Sequence, residues 1–320
     1  MWNHLTDKMY DEFLLSFNLL KSKNIKKIKK TLYYLANNLD ANYISFDIPK
    51  KNGEFRTIYE PSFLLKNVQR NILKNILEDK KISKYAKAYQ KNISLIDNAK
   101  VHINKKFILK LDIKDFFPSI NFNMVYNTCF NENFYPKKIG ILLTNICVYN
   151  NELPQGTPTA AYISNLILNN FDEEIGKYCN NLNISYTRYS DDLTFSGNFN
   201  VKDLINIVKD LLKKYHFRLN YDKIRIIKHS KRQMITGIVV NEKLSIKKEC
   251  KKKIRQEMYY IKKYGLANHL KYINITNKNK YINTLIGKIN FILQVESDNL
   301  EFKKYLIYLR KIINNTYIKS

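Results

Sequence analysis

Three aspartates have the types and spacing to do chemistry. Asp191 and Asp192 are adjacent within YTRYSDDLTFSG, residues 186–197, where runs rich in aromatic and β-branched residues read as two strands meeting at a turn. Asp112 closes another alternating run, KFILKLDIKDFFPSI. There Phe107, Leu109, Leu111 and Ile113 alternate with Ile108, Lys110 and Asp112, so one strand face should pack on a core and the other, bearing Asp112, should be more open. An Asp-Asp pair by itself most often reads as a solvated loop. The apolar strands that bracket this one change the reading. Carboxylates gathered at strand ends repel one another unless cations neutralise them. Oxygen-only ligands suit Mg²⁺ or Mn²⁺, and two such ions about 3.5–4 Å apart activate an attacking hydroxyl and stabilise a leaving pyrophosphate. In-line phosphoryl transfer is the reaction class this implies.

The elements around these residues follow from periodicity. The opening segment to about Asn38 reads as helices with a basic face, including KSKNIKKIKK. Two strand-like runs flank Asn52-Gly53, a pair that tolerates the positive φ angles of a type I′ hairpin turn. After Pro61, Leu65, Val68, Ile72 and Ile76 recur at the spacing of one buried helix face. In LPQGTPTAAYISNLILNNFDEEI a Pro-Gly turn leads into a helix from about Thr159, with Ala160, Ile163, Ile167 and Phe171 on one side. Residues 201–215 form a strongly amphipathic helix that should cover the sheet, and 217–246 read as short strands. From about Lys247 the composition changes to three amphipathic helices with basic sides, the Asn-rich connection 264–280 being expected to be mobile.

The composition bounds the partners. Hydrophobic residues are 45% of 320 and aromatics 13%, so the chain is globular, with room for more than one subdomain. The 55 Lys and Arg against 28 Asp and Glu give a formal charge of +27, which favours a polyanion, nucleic acid in particular. No stretch approaches the roughly 18 apolar residues of a membrane span, and the start lacks a signal-peptide layout, so no membrane partner and a cytoplasmic location are expected. Cys129, Cys147, Cys179 and Cys250 are far apart and suggest neither a zinc site nor disulfides; they read as core or half-buried residues.

Taken in order, these stretches resemble the reverse transcriptases, and within them the bacterial retron type. LDIKDFFPSI is similar to the palm motif bearing the first metal-binding aspartate, LPQGTPTAAYISN to the loop and helix beneath the nascent base pair, and RYSDDLTFS to the Tyr-x-Asp-Asp signature. FRTIYEPSFLLKNVQRNIL is similar to the fingers region and LNYDKIRI to the later palm, so the resemblance runs over about residues 30–245. NAKVHINKK carries the retron Asn-Ala-x-x-His pattern, and RQMITGIVVN is similar to its Val-Thr-Gly segment, here Ile-Thr-Gly. Thr159-Ala160-Ala161 stands where many relatives have Ser-Pro or Thr-Ser-Pro, and Ser190 where Ala is commoner.

The resemblance implies an α+β right-hand polymerase: an N-terminal helical segment (1–40), fingers (41–106), an antiparallel-sheet palm flanked by helices (107–246, with a fingers-side insertion around 120–160) and a helical thumb (247–320). Asp112 and Asp191 would bind two Mg²⁺ ions, or Mn²⁺, with the carbonyl of Ile113, while Asp192 would add charge or a looser ligand. Phe117 would be the gate that rejects a 2′-hydroxyl. Asp115 and Phe116 would offer main-chain N–H groups to the triphosphate, Arg56 would clamp its phosphates, Gln155 and Gly156 would border the nucleotide, and Lys223 would be a proton donor to pyrophosphate. Asn98, His102, Tyr189, Ser190, Thr236, Gly237, Arg255 and Tyr259 would meet RNA or primer.

Plainer readings stand beside these. Lys223 reads equally as a solvated surface lysine, Phe116 and Phe117 as core, His102 as a satisfied structural histidine and Thr236-Gly237 as a turn. The basic helices beyond 247 read as solvated faces, although Tyr259, Tyr260, Tyr264 and Tyr272 interleaved with lysines suit a surface that grips phosphates and stacks bases. The implied partners are dNTPs, a cognate structured noncoding RNA that serves as template and primer, its DNA product joined to it through a guanosine 2′-hydroxyl, and a separate effector protein in phage defence. A group II intron-like enzyme and a noncatalytic RNA-binding scaffold or antitoxin remain alternatives.

Overall fold

The computed structural model describes residues 2, 6–49 and 53–317. The chain forms two compact units, Met1–Ile93 with Leu109–Ile226 and Ser94–Ile108 with Ile227–Ser320. The strands are β1 (Tyr43–Pro49), β2 (Phe55–Pro61), β3 (Phe107–Asp112), β4 (Ser185–Tyr189), β5 (Asp192–Gly197), β6 (Arg225–Lys228), β7 (Met234–Ile235) and β8 (Ile238–Val239). The helices of the first part are α1 (Asp7–Ser16), α2 (Ile25–Asn37), α3 (Phe63–Ile72), α4 (Leu95–Lys100), α5 (Phe122–Cys129), α6 (Lys137–Cys147), α7 (Ala160–Ile167) and α8 (Asn169–Asn181). They are followed by α9 (Val201–Lys214), α10 (Lys248–Tyr264), α11 (Leu266–Tyr272), α12 (Lys278–Val295) and α13 (Leu300–Tyr317).

In the first unit β1 and β2 pair antiparallel from Tyr43↔Pro61 to Pro49↔Phe55, as two strand-like runs around a turn dictate. Gly53 has φ 85°, while Asn52 lies outside the described residues. Ser62 caps α3, accepting from the Leu65 N–H, and Leu65, Val68, Ile72 and Ile76 are buried at the expected spacing. A four-stranded sheet in the order β4–β5–β3–β6 carries the three aspartates, and α9 buries Leu204, Val208 and Leu212. The apolar core of this unit joins Leu32, Val68, Leu109, Leu143, Phe171 and Phe195. In the second unit Ala99 and Ile108 enter a core with Ile235, Ile254, Leu285 and Phe302. No helix among the described residues is long and apolar enough to cross a membrane.

Four expectations are corrected. β3 is withdrawn from water on both faces: Ile108 is fully buried, and Asp112 is covered by hydrogen-bonding neighbours. The helix expected from Thr159 is two helices, broken at Leu168, whose ψ of 3° leaves the helical range, although Ala160, Ile163, Ile167 and Phe171 all stay buried. The Asn-rich connection 264–280 contains α11, because Leu266 and Leu270, one turn apart, both find the core. Cys250 is exposed, whereas Cys129, Cys147 and Cys179 are buried.

Candidate active site

The hairpin of β4 and β5 closes at Tyr189↔Asp192, which leaves Ser190 and Asp191 as a two-residue turn. Ser190 has φ 60° and Asp191 does not have positive φ, the sign pattern of a type II′ turn. That turn is fixed beside the end of β3, because the Ile113 N–H donates to the Asp191 carbonyl at 3.1 Å. A further bridge joins Ile113 to Leu219, and the Asn220 N–H donates to the Asp112 carbonyl at 2.8 Å. The turn residues and Asp112 are thus brought together by main-chain bonds.

The electrostatics match the geometry. Partial burial raises the Asp191 carboxyl, and the charge of Asp112 raises it further. Asp192 keeps a solvent-facing side chain, yet loss of surrounding water and then the charge of Asp191 push it up to about 6, against the pull of Lys110. Asp112 is buried with partners: its two carboxylate oxygens accept from Lys223 Nζ at 2.8 and 3.0 Å, and Oδ2 accepts from Asn220 Nδ2 at 3.1 Å. Burial pulls the Lys223 ammonium down, but the bond to Asp112 and the charges of Asp191 and Asp192 raise it on balance. Among the described residues no three His, Cys, Asp or Glu side chains are already converged to hold a metal ion. The donor set is nevertheless the right kind for a hard divalent cation. Carboxylates raised by loss of water and then by mutual repulsion are what such a cation would relieve, and Lys223 adds one positive charge beside them.

Beneath the turn lies a network that the motif spacing did not reveal. Arg188 and Asp172 are fully buried; Arg188 Nε donates to Asp172 Oδ1 at 3.0 Å and Nη2 to Oδ2 at 2.7 Å. Arg188 Nη1 donates both to Asn165 Oδ1 at 2.9 Å and to the Ser190 carbonyl at 3.1 Å, while the Tyr186 hydroxyl donates to Asp172 Oδ1 at 2.7 Å. A buried guanidinium therefore holds the tip of the turn from below. Lys110 is the other residue missed. Burial lowers its ammonium while Asp192 raises it, and its position two residues before Asp112 on the same strand face was the available signal.

The remaining candidates fall in different settings. Phe116 is buried against Phe217, and Phe117, half-buried, meets Phe116 edge-on with centroids 5.2 Å apart. Asp115 is exposed with φ 47°. Arg56 is exposed on β2, and that strand docks on the Gln155-Gly156 loop through the Tyr59 N–H, which donates to the Gln155 carbonyl at 2.8 Å. Gly156 has φ 105°, and a Cβ there would meet Ile58 Cγ2 at 2.8 Å and the Tyr59 carbonyl oxygen at 2.9 Å, so the close approach needs glycine.

The second unit holds the others. Asn98 and His102 are buried in it. Thr236 and Gly237 form the β7–β8 turn with φ 45° and 87°, and Thr236 Oγ1 donates to the Leu95 carbonyl at 3.2 Å. Arg255 is spent on Glu301 through Nε–Oε1 at 2.8 Å and Nη2–Oε2 at 2.7 Å. Tyr259 is exposed and its hydroxyl accepts from Lys263 Nζ at 3.1 Å, with Tyr264 and Tyr272 also exposed.

Residues 48–264 match the family described as reverse transcriptase (RNA-dependent DNA polymerase). The retron Ec86 reverse transcriptase of Escherichia coli is 32% identical over 91% of this chain and 88% of its own length. The chain belongs to the reverse transcriptase family. The retron Ec83 enzyme of E. coli is 30% identical over 83% of this chain and 87% of its own length, and the retron Mx162 enzyme of Myxococcus xanthus 28% over 68% and 51%. This reverse transcriptase is thus of the retron type, an RNA-directed DNA polymerase with the α+β right-hand fold of antiparallel-sheet palm, fingers and helical thumb. Among solved structures, a foamy viral protease-reverse transcriptase in complex with double-stranded DNA is similar at TM-score 0.47 and 15% identity, over 86% of this chain and 39% of that one. Telomerase from Candida albicans follows at TM-score 0.43 and 10% identity, over 89% and 70%.

Proposed function

We propose that this reverse transcriptase copies a cognate structured noncoding RNA into single-stranded DNA, starting from a guanosine 2′-hydroxyl so that the product is a branched RNA–DNA hybrid. It works in the bacterial cytoplasm, in phage defence alongside a separate effector protein. The observation that carries the catalytic half is the main-chain bond from Ile113 to Asp191, which accompanies three mutually repelling carboxylates at one strand end. The retron half is supported by relatives that cover most of the chain.

In this reading Asp112, Asp191 and the Ile113 carbonyl hold two divalent ions, Mg²⁺ with Mn²⁺ as substitute, and Asp192 adds charge. When bound, those ions supply the Lewis acidity that activates the attacking hydroxyl and stabilises the leaving pyrophosphate. Lys223, more than half exposed on its short helical turn, swings from Asp112 to the triphosphate and gives a proton to the pyrophosphate oxygen. Arg56 clamps the phosphates and Asp115 and Phe116 offer them N–H groups, with Gln155-Gly156 beside the base. The Phe117 ring closes the space a 2′-hydroxyl would need. Tyr189 and Ser190 face the primer, and the β7–β8 turn and the Tyr259 face of α10 meet the RNA. Residues 41–106 serve as fingers, 107–246 as palm and 247–320 as thumb, behind an N-terminal helical segment.

The test is dNTP incorporation on the cognate RNA by the parent and by Asp191→Asn with Asp192→Asn. Synthesis is expected to fall at least about a thousandfold, and DNA made at the parental rate would refute the assignment. Nucleic acid copurified from the native host should contain DNA joined to RNA by a linkage that debranching enzyme cleaves; linear RNA alone would remove the retron half.

A further inference from the structure

The loop before the second unit's first segment runs along the edge of β4. Ala86 pairs with Arg188 in parallel fashion: the Arg188 N–H donates to the Tyr85 carbonyl at 2.8 Å, and the Lys87 N–H donates to the Arg188 carbonyl at 2.7 Å. Asn165 faces both ways, its Oδ1 accepting from Arg188 and its Nδ2 donating to the Ala88 carbonyl at 2.8 Å. The same buried arginine that holds the Ser190 carbonyl therefore also fixes, through Asn165, the residue next to Tyr89. Gln90 Nε2 closes the loop onto the Ala86 carbonyl at 2.7 Å.

Tyr89 is the residue these bonds present. Its φ is 59°, a conformation that a bulky side chain adopts only where surrounding bonds enforce it. The residue is 47% exposed although Ala88 and Gln90 on either side of it are held by hydrogen bonds. Its hydroxyl donates to Ser190 Oγ at 3.3 Å, so the ring stands beside the turn that carries Asp191. Tyr189 lies close enough that the Tyr89 phenol, after burial, adds to the rise of its own. An exposed ring on a rigid mount next to a nucleotidyl-transfer turn suits stacking on a base or sugar, which tolerates any sequence.

We propose that Tyr89 is a primer-terminus contact, its ring forming with Tyr189 a wall against the last base pair. The proposal rests on the reading that the Ser190–Asp191 turn lies at the growing end.

The experiment uses the full chain with a DNA primer annealed to an RNA template, and measures single-nucleotide extension together with binding of the same duplex carrying a dideoxy-terminated primer. Tyr89→Ala should raise both KM for the primer–template and Kd for the blocked duplex about tenfold, with kcat within about threefold of the parent. Tyr89→Phe, which keeps the ring and removes only the hydroxyl's bond to Ser190, should stay within about threefold in all three. Binding of the template RNA without primer should be equal in parent and Tyr89→Ala. Unchanged KM and Kd in Tyr89→Ala would overturn the proposal, as would a loss on unprimed RNA of the same size, or a fall in kcat and melting temperature without a change in KM. Activity retained by Asp191→Asn would instead strike at the underlying reading, so the two failures are told apart.

Discussion

Arg188 and Arg255 each grip a carboxylate with a two-pronged fork of nearly the same dimensions, the shortest contact being 2.7 Å in both. Their surroundings differ completely: Arg188 and Asp172 are 0% exposed, Arg255 and Glu301 46% and 39%. In water the fork competes with hydration and salt, and its net worth is small. Inside the protein neither charge can be left alone, so the pair is less a source of stability than a constraint on where the Ser190 carbonyl sits. An exposed fork can be exchanged for another anion, a phosphate included. A buried one cannot.

Breaking the buried fork gives the largest expected effect. Arg188→Met leaves Asp172 charged and sealed from water, and should cost about 3–5 kcal/mol in urea unfolding, with DNA synthesis falling as the turn loses its support. A cost below about 1 kcal/mol would mean that the two sites do not differ in kind. The turn above supplies a contrast of opposite sign. At pH 7.5 Asp192, titrating at about 6, is ionised beside Asp191, so Asp192→Asn should raise the melting temperature by about 1–2 °C. Added Mg²⁺ should narrow that gap by stabilising the parent more.

The smallest effects belong to the exposed fork. Arg255→Ala should cost less than about 1 kcal/mol and less again at high salt. Arg255 holds the Glu301 carboxyl below its ordinary range. The folded pKa is thus depressed, and the pair's contribution is present above the unfolded glutamate value, about 4.3, and lost as pH falls through the lower folded value. Unfolding midpoints of parent and Arg255→Ala should converge in that acid window. Curves that stayed parallel to the most acid pH would assign the difference to lost packing of the guanidinium on Phe302, 5.6 Å from its centroid.

What could be read from the residues was local. Asp112, Asp191 and Asp192 sit in strand and turn patterns of a dozen residues, and the Leu65–Val68–Ile72 stripe needs only its own periodicity. Partners distant in sequence were not legible. Nothing near Arg188 announces Asp172 across 16 residues of helix and strand, or Glu301, 46 residues on, as the partner of Arg255. Lys223 reached Asp112 across 111 residues, which turned a surface lysine into a counter-ion. Asparagine content hid α11, since two leucines were enough to anchor it.

The discontinuous second unit has a consequence for synthesis on the ribosome. Residues 94–108 leave the exit tunnel well before their partners: Gln233 Nε2 donates to the Lys105 carbonyl across 128 residues, and Thr236 to the Leu95 carbonyl across 141. At about 5–20 residues per second that is a wait on the order of ten seconds. Throughout it Ala99 and Ile108 have no core to enter, while the chain between them and residue 227 can already collapse around β4 and β5. The short segment must stay open until the residues from 227 onward have emerged, and slowing elongation across residues 109–226 lengthens its exposure.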